Sequence, residues 1–207
     1  MPFNQKLAIV MCLALAGLAS PVHSSRSFSA RAQPDGHDSI LLYQPTMYQV
    51  FPVAASQSSP PVSQLEVLRT GNTSVLENIA VFEGIPANAR TCVLGWAQAA
   101  KADRAEFAVA RNGLLAAQQI SHLPGEDVSW ENIAPIVEEA VEQGMPLLHP
   151  ETTGWPDIHT AAGHIAGYID CAETIYLKIQ IDDRGTDGFV YLGQDDKDGL
   201  TLEVQVQ

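Results

Sequence analysis

The segment IYLKIQI, from Ile175 to Ile181, and the closing segment LTLEVQV, from Leu200 to Val206, decide the fold class of this chain. In both segments apolar residues alternate with polar ones, so one row of side chains faces a core and the other faces water. This period of two is typical of half-buried β-strands. A third apolar run, Phe189–Leu192, lies between them, and the turn-forming pairs Asp187-Gly188 and Asp198-Gly199 separate the three runs. We therefore predict three strands that form an antiparallel meander.

Shorter apolar runs upstream continue this pattern, with Asn, Gly and Pro between them. They cover residues 40–53, 65–69, 79–82, 91–97 and 106–111. Many short strands separated by turn residues are typical of a β-sandwich or barrel. The Ala-rich segment 97–120 could be helical, but the alternation over 107–111 before Asn112-Gly113 favours a hairpin.

One segment, 130–143, has helical periodicity instead. Ser129 can cap its first turn, and Gly144 and Pro146 end it. The chain is thus predicted to be mainly β, an antiparallel β-sandwich with one short helix at about 130–143, and to fold as a single domain over residues 40–207.

The first 24 residues have the features of a secretory signal peptide. Lys6 provides the basic start, an apolar run follows from Leu7 to Ala19, and Val22-His23-Ser24 suits a cleavage site. The apolar run is shorter than the ~20 residues that span a bilayer. We therefore predict that residues 1–24 are removed and that the protein is secreted, either extracellular or bound to a cell wall. Residues 25–39, rich in Ser and charge, are predicted to be a disordered or processed arm.

Secretion would expose the cysteines to an oxidising compartment and the asparagine of a sequon to glycosylation. Cys12 leaves with the leader, so Cys92 and Cys171 remain, and an even number of cysteines in an oxidising compartment predicts one disulfide between them. The chain-entropy model credits such a long loop with roughly 4 kcal/mol. Asn72 opens an Asn-Thr-Ser sequon in a polar turn, where we predict glycosylation.

The charge balance excludes several classes of partner. The chain carries 11 Lys and Arg against 24 Asp and Glu, a formal net charge of −13. Such a surface repels nucleic-acid backbones and anionic membranes, so no nucleic-acid partner is predicted. The polar end, Glu203 to Gln207, is unlike a lipid-anchor signal, so no membrane anchor is predicted either. The expected partner is an unknown extracellular ligand, a polysaccharide or a protein.

Three short motifs carry a resemblance to a known family. The segment FEGIP at 82–86, followed by CVLGW at 92–96, resembles an F-x-x-I-P…C-x-L motif, and Gly167–Cys171 and DGLTL at 198–202 resemble that family's second cysteine and last strand. The family is that of fungal secreted domains named for the C-terminal domain of ubiquitin-3-binding protein, and the resemblance begins at about residue 43. It implies a β-sandwich with a linking disulfide, extracellular or cell-wall residence, and no established catalytic residues.

The signals for metal binding are weak. His159 and His164 are of a residue type that binds zinc, but their spacing does not place both rings on one helical face. Asp157 and Asp170 lie nearby in sequence, and no Glu lies between the two histidines. Segment 194–205 resembles a Ca²⁺ loop, yet Gln occupies its first and last positions, so an Asp-Gly hairpin turn is favoured. No metal and no cofactor are predicted.

The signals for catalysis are also weak. The adjacent acids Glu138-Glu139 and Asp182-Asp183 could suggest glycoside hydrolysis, but adjacent acids usually form a solvated face. The chain has no G-x-S-x-G motif for serine catalysis. Its large aromatic residues are too scattered to predict a sugar-binding platform, although Trp155 lies in a loop that we expect to be exposed. The others considered are Trp96, Trp130, Tyr168 and Tyr176.

Binding is therefore the favoured function, by a secreted, non-enzymatic protein of a fungus that acts at the cell wall or the host interface. The alternative is an extracellular carbohydrate-active or pathway-specific enzyme that uses the 145–165 loop. Its catalytic residues would be His149, Asp157, His159 and His164. An enzyme needs these groups to converge in a concave pocket, whereas a binding module needs only an exposed surface.

Overall fold

The computed structural model describes residues 29–32, 38–125, 127–184 and 186–207, with the backbone alone at 29–32 and 38. The predicted leader at 1–24 lies outside these residues. The described part of the chain forms thirteen strands, one α-helix and two short 3₁₀ turns. The strands are β1 (Ser29–Ala32), β2 (Asp38–Tyr43), β3 (Thr46–Val50), β4 (Gln64–Thr70), β5 (Thr73–Glu83), β6 (Ala89–Gln98), β7 (Phe107–Arg111), β8 (Leu115–Ile120), β9 (Leu147–Leu148), β10 (Ala162–Ile169), β11 (Thr174–Ile181), β12 (Gly188–Gly193) and β13 (Gly199–Val206). The helix is α1 (Trp130–Glu142), and the 3₁₀ turns are Pro52–Ala54 and Trp155–Asp157.

The strands form two antiparallel sheets. The first sheet has the order β1-β2-β13-β6-β10. The second has the order β7-β12-β4-β5-β11-β8-β9, and β3 also pairs with the second half of β5. The prediction of a mainly β chain built as an antiparallel sandwich is confirmed.

The larger apolar core fills the space between the two sheets. The second sheet contributes the apolar row of β11, and the first contributes alternate residues of β6 and β13. Ile179 and Leu202, one from each sheet, are almost fully buried. Strand alternation explains this core, because every second side chain of each strand points to the same side of its sheet.

A third layer, the helix α1, covers the outer face of the second sheet. The side chain of Ser129 accepts a hydrogen bond from the backbone N–H of Asn132 and caps the helix, as predicted. Ile133 and Ile136 of the helix pack against Ile79 and Val81 of β5, which point away from the inter-sheet core. The helix thus sits on a second, smaller apolar core.

The predicted meander is wrong. Strand β11 lies between β5 and β8, β12 lies between β4 and β7, and β13 lies between β2 and β6. The Asp-Gly pairs lie where β12 and β13 begin, at Gly188 and Gly199, but each of these strands takes a different place in the sandwich from the strand before it. The Asp-Gly pair within 194–205 is likewise no hairpin turn, because it joins β12 of one sheet to β13 of the other. Turn residues set where a strand stops, while its partner depends on distant apolar contacts.

Two further expectations differ from the structure. The strands β7 and β8 of segment 97–120 form as predicted, but they do not pair as a hairpin, since β7 pairs with β12 and β8 with β9 and β11. Within the predicted arm at 25–39, Ser29–Ala32 forms a strand that pairs with β2. Backbone hydrogen bonds to an open sheet edge can order a segment that has no apolar periodicity of its own.

The predicted disulfide between Cys92 and Cys171 is present, with 5.4 Å between the two Cα atoms. Cys92 lies in β6, opposite Ile169, and Cys171 follows the end of β10. The bond therefore connects neighbouring strands of one sheet and anchors β10, which is one of the two edge strands of that sheet.

Candidate functional site

The outer face of the first sheet forms an open groove of about 950 Å³. The outward-facing residues of β2, β13, β6 and β10 contribute to its lining, together with neighbouring residues such as Gln98 and His164 and parts of the loops at one end. The groove is comparable in volume to the larger ligand pockets of proteins. The cross-strand register places two rows of side chains across it. One row is Tyr43, Thr201, Gly95 and Ile165, and the other is Leu41, Glu203, Val93 and Tyr168.

The floor of the groove is made of small residues. A Cβ atom at Gly95 would lie 2.8 Å from the carbonyl oxygen of His164 and 3.0 Å from the Oγ1 atom of Thr201, so only glycine fits there. At Gly163, also in the lining, a Cβ atom would meet nothing within 4 Å and would point into open space. The floor is thus tightly packed at Gly95, whereas at Gly163, on β10, there is space for a larger side chain.

Apolar and aromatic side chains flank the floor. Ile165 is 80% exposed and Tyr168 is 72% exposed, both on β10. Half-buried Leu41 and Tyr43 lie on β2, across the groove. The strands β2 and β10 are three strand spacings apart, which is about 14 Å. Large apolar side chains exposed beside a concave surface are typical of a binding site.

Among the residues that the structure describes, one carboxylate lies in the middle of this face. Glu203 is half-buried on β13, directly opposite Leu41 on one side and Val93 on the other. The described residues provide it with no hydrogen bond and no ion pair. A partly desolvated carboxylate without a partner is an energetic cost that a bound ligand can offset.

One wall of the groove is held in place by a cluster around His164. The ring of His164 stacks on Trp155, with 4.0 Å between ring centroids, and its Nε2 atom lies 3.1 Å from Oε1 of Gln98. The amide of Gln98 donates to the backbone oxygen of Trp155 at 3.1 Å. Burial and the nearby Arg104 lower the pKa of His164. These contacts fix β10 against β6, so His164 supports the groove.

A second, smaller concavity of about 150 Å³ lies beside α1. His149 is at its rim, and its Nδ1 atom is 2.6 Å from Oδ2 of Asp182, a carboxylate that is only 1% exposed. Hydrogen bonds from the side chain of Arg184 hold the pKa of Asp182 well below its usual range, assisted by the backbone of Arg184 and by His149. The Asp182 carboxylate therefore orients the imidazole of His149, whose Nε2 atom makes no hydrogen bond with the described residues.

Lys178 lines the same concavity. Its Nζ atom is 2.9 Å from Oε2 of Glu77 and 5.2 Å from the ring centroid of Trp130. Burial lowers the pKa of Lys178. The polar row of β11 was expected to face water, and this expectation is wrong at Lys178, because α1 and Trp130 cover it.

The four residues of the alternative catalytic site do not converge. His149 lies beside α1 with Asp182, and His164 lies in the first sheet with Trp155 and Gln98. Asp157 and His159 are exposed in the loop that leads to β10. Among the residues that the structure describes, no three His, Cys, Asp or Glu side chains are arranged to hold a metal ion.

Other candidate residues have structural roles or different exposure. Trp155 was expected to be exposed, but it is half-buried, since Trp96, Phe107 and His164 pack around it. In the Ca²⁺-like segment, both oxygens of the Asp198 carboxylate accept backbone N–H groups, from Ala99 and Ala105. Asn72 lies exposed in the turn between β4 and β5, as expected for a sequon that can be modified.

Sequence reasoning missed the groove and the partner of His149. Thr201 and Glu203 appear in the sequence only as the polar row of a strand, and Tyr168 only as one of several scattered aromatic residues. The sequence feature that could have indicated the groove is the pair of small residues, Gly95 and Ala97, in an otherwise apolar strand. Glycine in a strand often marks a place where other groups approach the backbone closely.

Comparisons with protein-family models, curated proteins and solved structures found no match to this chain. Within the described ranges, no helix has the length and apolar character needed to cross a membrane. The disulfide is typical of proteins from oxidising compartments.

Proposed function

We propose that this chain is a secreted, non-enzymatic binding protein of a fungus, which acts at the cell wall or the host interface and binds a polysaccharide in the groove on its first sheet. The observation that carries the proposal is the groove itself, an open concavity with a floor of small residues and exposed Ile165 and Tyr168 beside it. The resemblance to the family of fungal secreted domains supports the same class of function.

The shape of the groove favours an extended polymer over a compact small molecule. Tyr43 and Tyr168 lie near opposite margins, about 14 Å apart across the strands, so a ligand that contacts both must span the sheet. Tyrosine rings offer flat apolar faces together with a hydroxyl group, which suits the apolar faces and hydroxyls of sugar rings. The hydroxyl of Thr201 and the carboxylate of Glu203 supply hydrogen-bonding groups between them.

A steric block of the groove tests the proposal. A Cβ atom at Gly163 would meet open space, so Gly163→Trp can fill the groove without disturbing the sheet. Gly125→Trp is a matched control, because Gly125 also has free space around it and is not part of the groove lining. We expect the unmodified protein and Gly125→Trp to bind at least one of insoluble cellulose, chitin, chitosan or β-glucan, and Gly163→Trp to lose that binding. Equal binding by both variants, or no binding to any of the four polysaccharides, would contradict the proposal.

The second candidate function is the extracellular enzyme, and the His149–Asp182 hydrogen bond favours it. A histidine oriented by a buried carboxylate can act as a general base toward water or a hydroxyl group. The test is release of soluble sugars from the bound polysaccharide, compared between the unmodified protein and His149→Gln. Release that His149→Gln abolishes would support the enzyme, and binding without any release supports the binding module.

Secretion and glycosylation are part of the proposal. Asn72 is exposed in the β4–β5 turn, so an oligosaccharide transferase can reach it if the chain enters the secretory pathway. We expect material secreted from a eukaryotic host to shift in gel mobility after treatment with an N-glycosidase, and Asn72→Gln to lack the shift. An unchanged mobility of the unmodified protein would argue against modification at Asn72.

A further inference from the structure

The charge in the groove indicates which class of polysaccharide it binds. This inference rests on the proposed function, in which a polysaccharide occupies the groove. Glu203 is half-buried at the centre of the groove and has no hydrogen-bond or ion-pair partner among the described residues. Its cross-strand neighbours, Leu41 and Val93, are apolar. The carboxylate is therefore partly removed from water without compensation from the protein.

Among the residues that the structure describes, no Lys or Arg side chain of the groove lining lies beside this carboxylate. Of the described lining residues, Lys197 is the one Lys or Arg, and it precedes β13 at the end of the groove. Gly199, where β13 begins, is four residues from Glu203, about 13 Å along the strand. Asp103 adds a second acidic group to the lining, and the whole chain carries a net charge of −13. The potential in the groove is therefore negative, and it attracts a cation.

The backbone of this face favours a sugar cation over a peptide cation. On both sides, β13 already pairs with β2 and β6, so its N–H and C=O groups are used within the sheet. A peptide strand that docks on a sheet usually adds to a free edge, which in this sheet is β1 or β10 and not the central strand that carries Glu203. A ligand lying across the face can use only side chains, and the tyrosines and the small floor suit flat rings.

We propose that the groove selects a glycan that carries free, protonated amino groups, such as a polymer of glucosamine, and that the carboxylate of Glu203 pairs with one of these ammonium groups. The sugar rings on either side lie over the floor, toward Tyr43 on one margin and Tyr168 on the other. Charge-assisted hydrogen bonds of this kind are stronger than neutral ones, so the amino group becomes the determinant of selectivity.

The test compares hexamers of glucosamine and of N-acetylglucosamine by isothermal titration calorimetry, at a pH where the free amine is protonated. We expect the unmodified protein to bind the amine form about tenfold more tightly, an advantage that falls as salt is added. Glu203→Gln should bind both forms alike. Glu138→Gln, which removes the same charge from the exposed face of α1, should keep the preference. Melting temperatures show whether the Glu203 variant is folded.

Equal binding of the two hexamers by the unmodified protein, blocked by Gly163→Trp, would overturn the selectivity and leave the polysaccharide proposal standing. Retention of the amine preference by Glu203→Gln would overturn the role of Glu203. No binding of any glycan, with binding of a Lys-rich peptide instead, would overturn both proposals. The salt dependence of the unmodified protein decides the selectivity even if Glu203→Gln does not fold.

Discussion

At the residue scale, Asn78 shows how one polar side chain joins two strands that diverge. Strand β5 pairs with β4 along its first residues and with β3 further on, and Asn78 lies where the partner changes. Its Oδ1 atom accepts the N–H of Glu66 at 2.6 Å, and its Nδ2 atom donates to the carbonyl oxygen of Tyr48 at 3.2 Å. Asn78 is fully buried, so these groups have no access to water as a substitute partner.

Replacement of Asn78 should therefore be costly. Asn78→Leu keeps a similar volume but leaves two buried backbone groups without partners, and we expect a loss of about 2–5 kcal/mol in the free energy of unfolding. Urea denaturation measures it. Asn88→Leu is the control, because Asn88 is exposed, and its loss should stay within ~0.5 kcal/mol. Similar losses for the two variants would mean that Asn78 does not join the strands as described.

The stability contributed by Asp182 should depend on pH. Hydrogen bonds from Arg184 and His149 lower the pKa of Asp182 in the folded protein, so its carboxylate stabilises the fold above the ordinary pKa of Asp, about 4. That contribution is lost progressively as pH falls from about 4 toward the lower folded-state value. We expect Asp182→Asn to be less stable than the unmodified protein by about 1–3 kcal/mol at pH 7.

Urea denaturation of both proteins at pH 7 and pH 3 tests this expectation. The difference in unfolding free energy should shrink at pH 3, where the carboxyl group of Asp182 is mostly protonated in the unfolded chain but still ionised in the folded protein. Asp183→Asn serves as the control, since Asp183 is exposed and lies next in the chain. A difference that is the same at both pH values would contradict the role of the ionised carboxylate.

Local residue patterns predicted caps and turns but not long-range partners. Ser129 was identifiable as the helix cap because its partner, Asn132, lies three residues away. The partner of His149 could not be identified in the same way, since Asp182 is 33 residues further on. A polar residue in a strand, such as Glu203, is compatible with exposure to water or with a place in a groove, and only the neighbouring strands decide which.

At the element scale, periodicity located most elements and failed on their pairing. The helix predicted at 130–143 is Trp130–Glu142, and the apolar rows of β11 and β13 face the core as expected. The meander failed because adjacent strands in the sequence are not adjacent in the sheets. Pairing depends on which apolar faces meet across the sandwich, and a single strand's sequence carries no record of its neighbours.

The disulfide should stabilise one element in particular, the edge strand β10. In the first sheet β10 pairs only with β6, and the Cys92–Cys171 bond ties its end to that neighbour. The double variant Cys92→Ala, Cys171→Ala should lose about 2–5 kcal/mol of stability. Amide hydrogen exchange should accelerate first in β10, ahead of the central strand β13. Uniform acceleration across both strands would show that the bond stabilises the domain without a preference for this edge.

At the scale of the whole molecule, each layer and each face of the sandwich has a different role. The inter-sheet core stabilises the fold, α1 covers the second sheet, and the outer face of the first sheet is left open with Ile165 and Tyr168 exposed. The sequence predicted a sandwich with one helix, but it could not show which sheet the helix covers. The position of the helix decides which face is free to bind a ligand, because the groove lies on the sheet that the helix does not cover.

The most direct measurement of the central claim is an NMR titration of the ¹⁵N-labelled protein with the glycan that it binds most tightly. We expect the perturbed amides to cluster in β13, β6 and β10, around Thr201, Gly95 and Gly163, while amides near His149 and α1 stay unchanged. Perturbations centred on His149, Lys178 and Asp182 would contradict that claim, because they would place the ligand beside the helix and leave the groove empty.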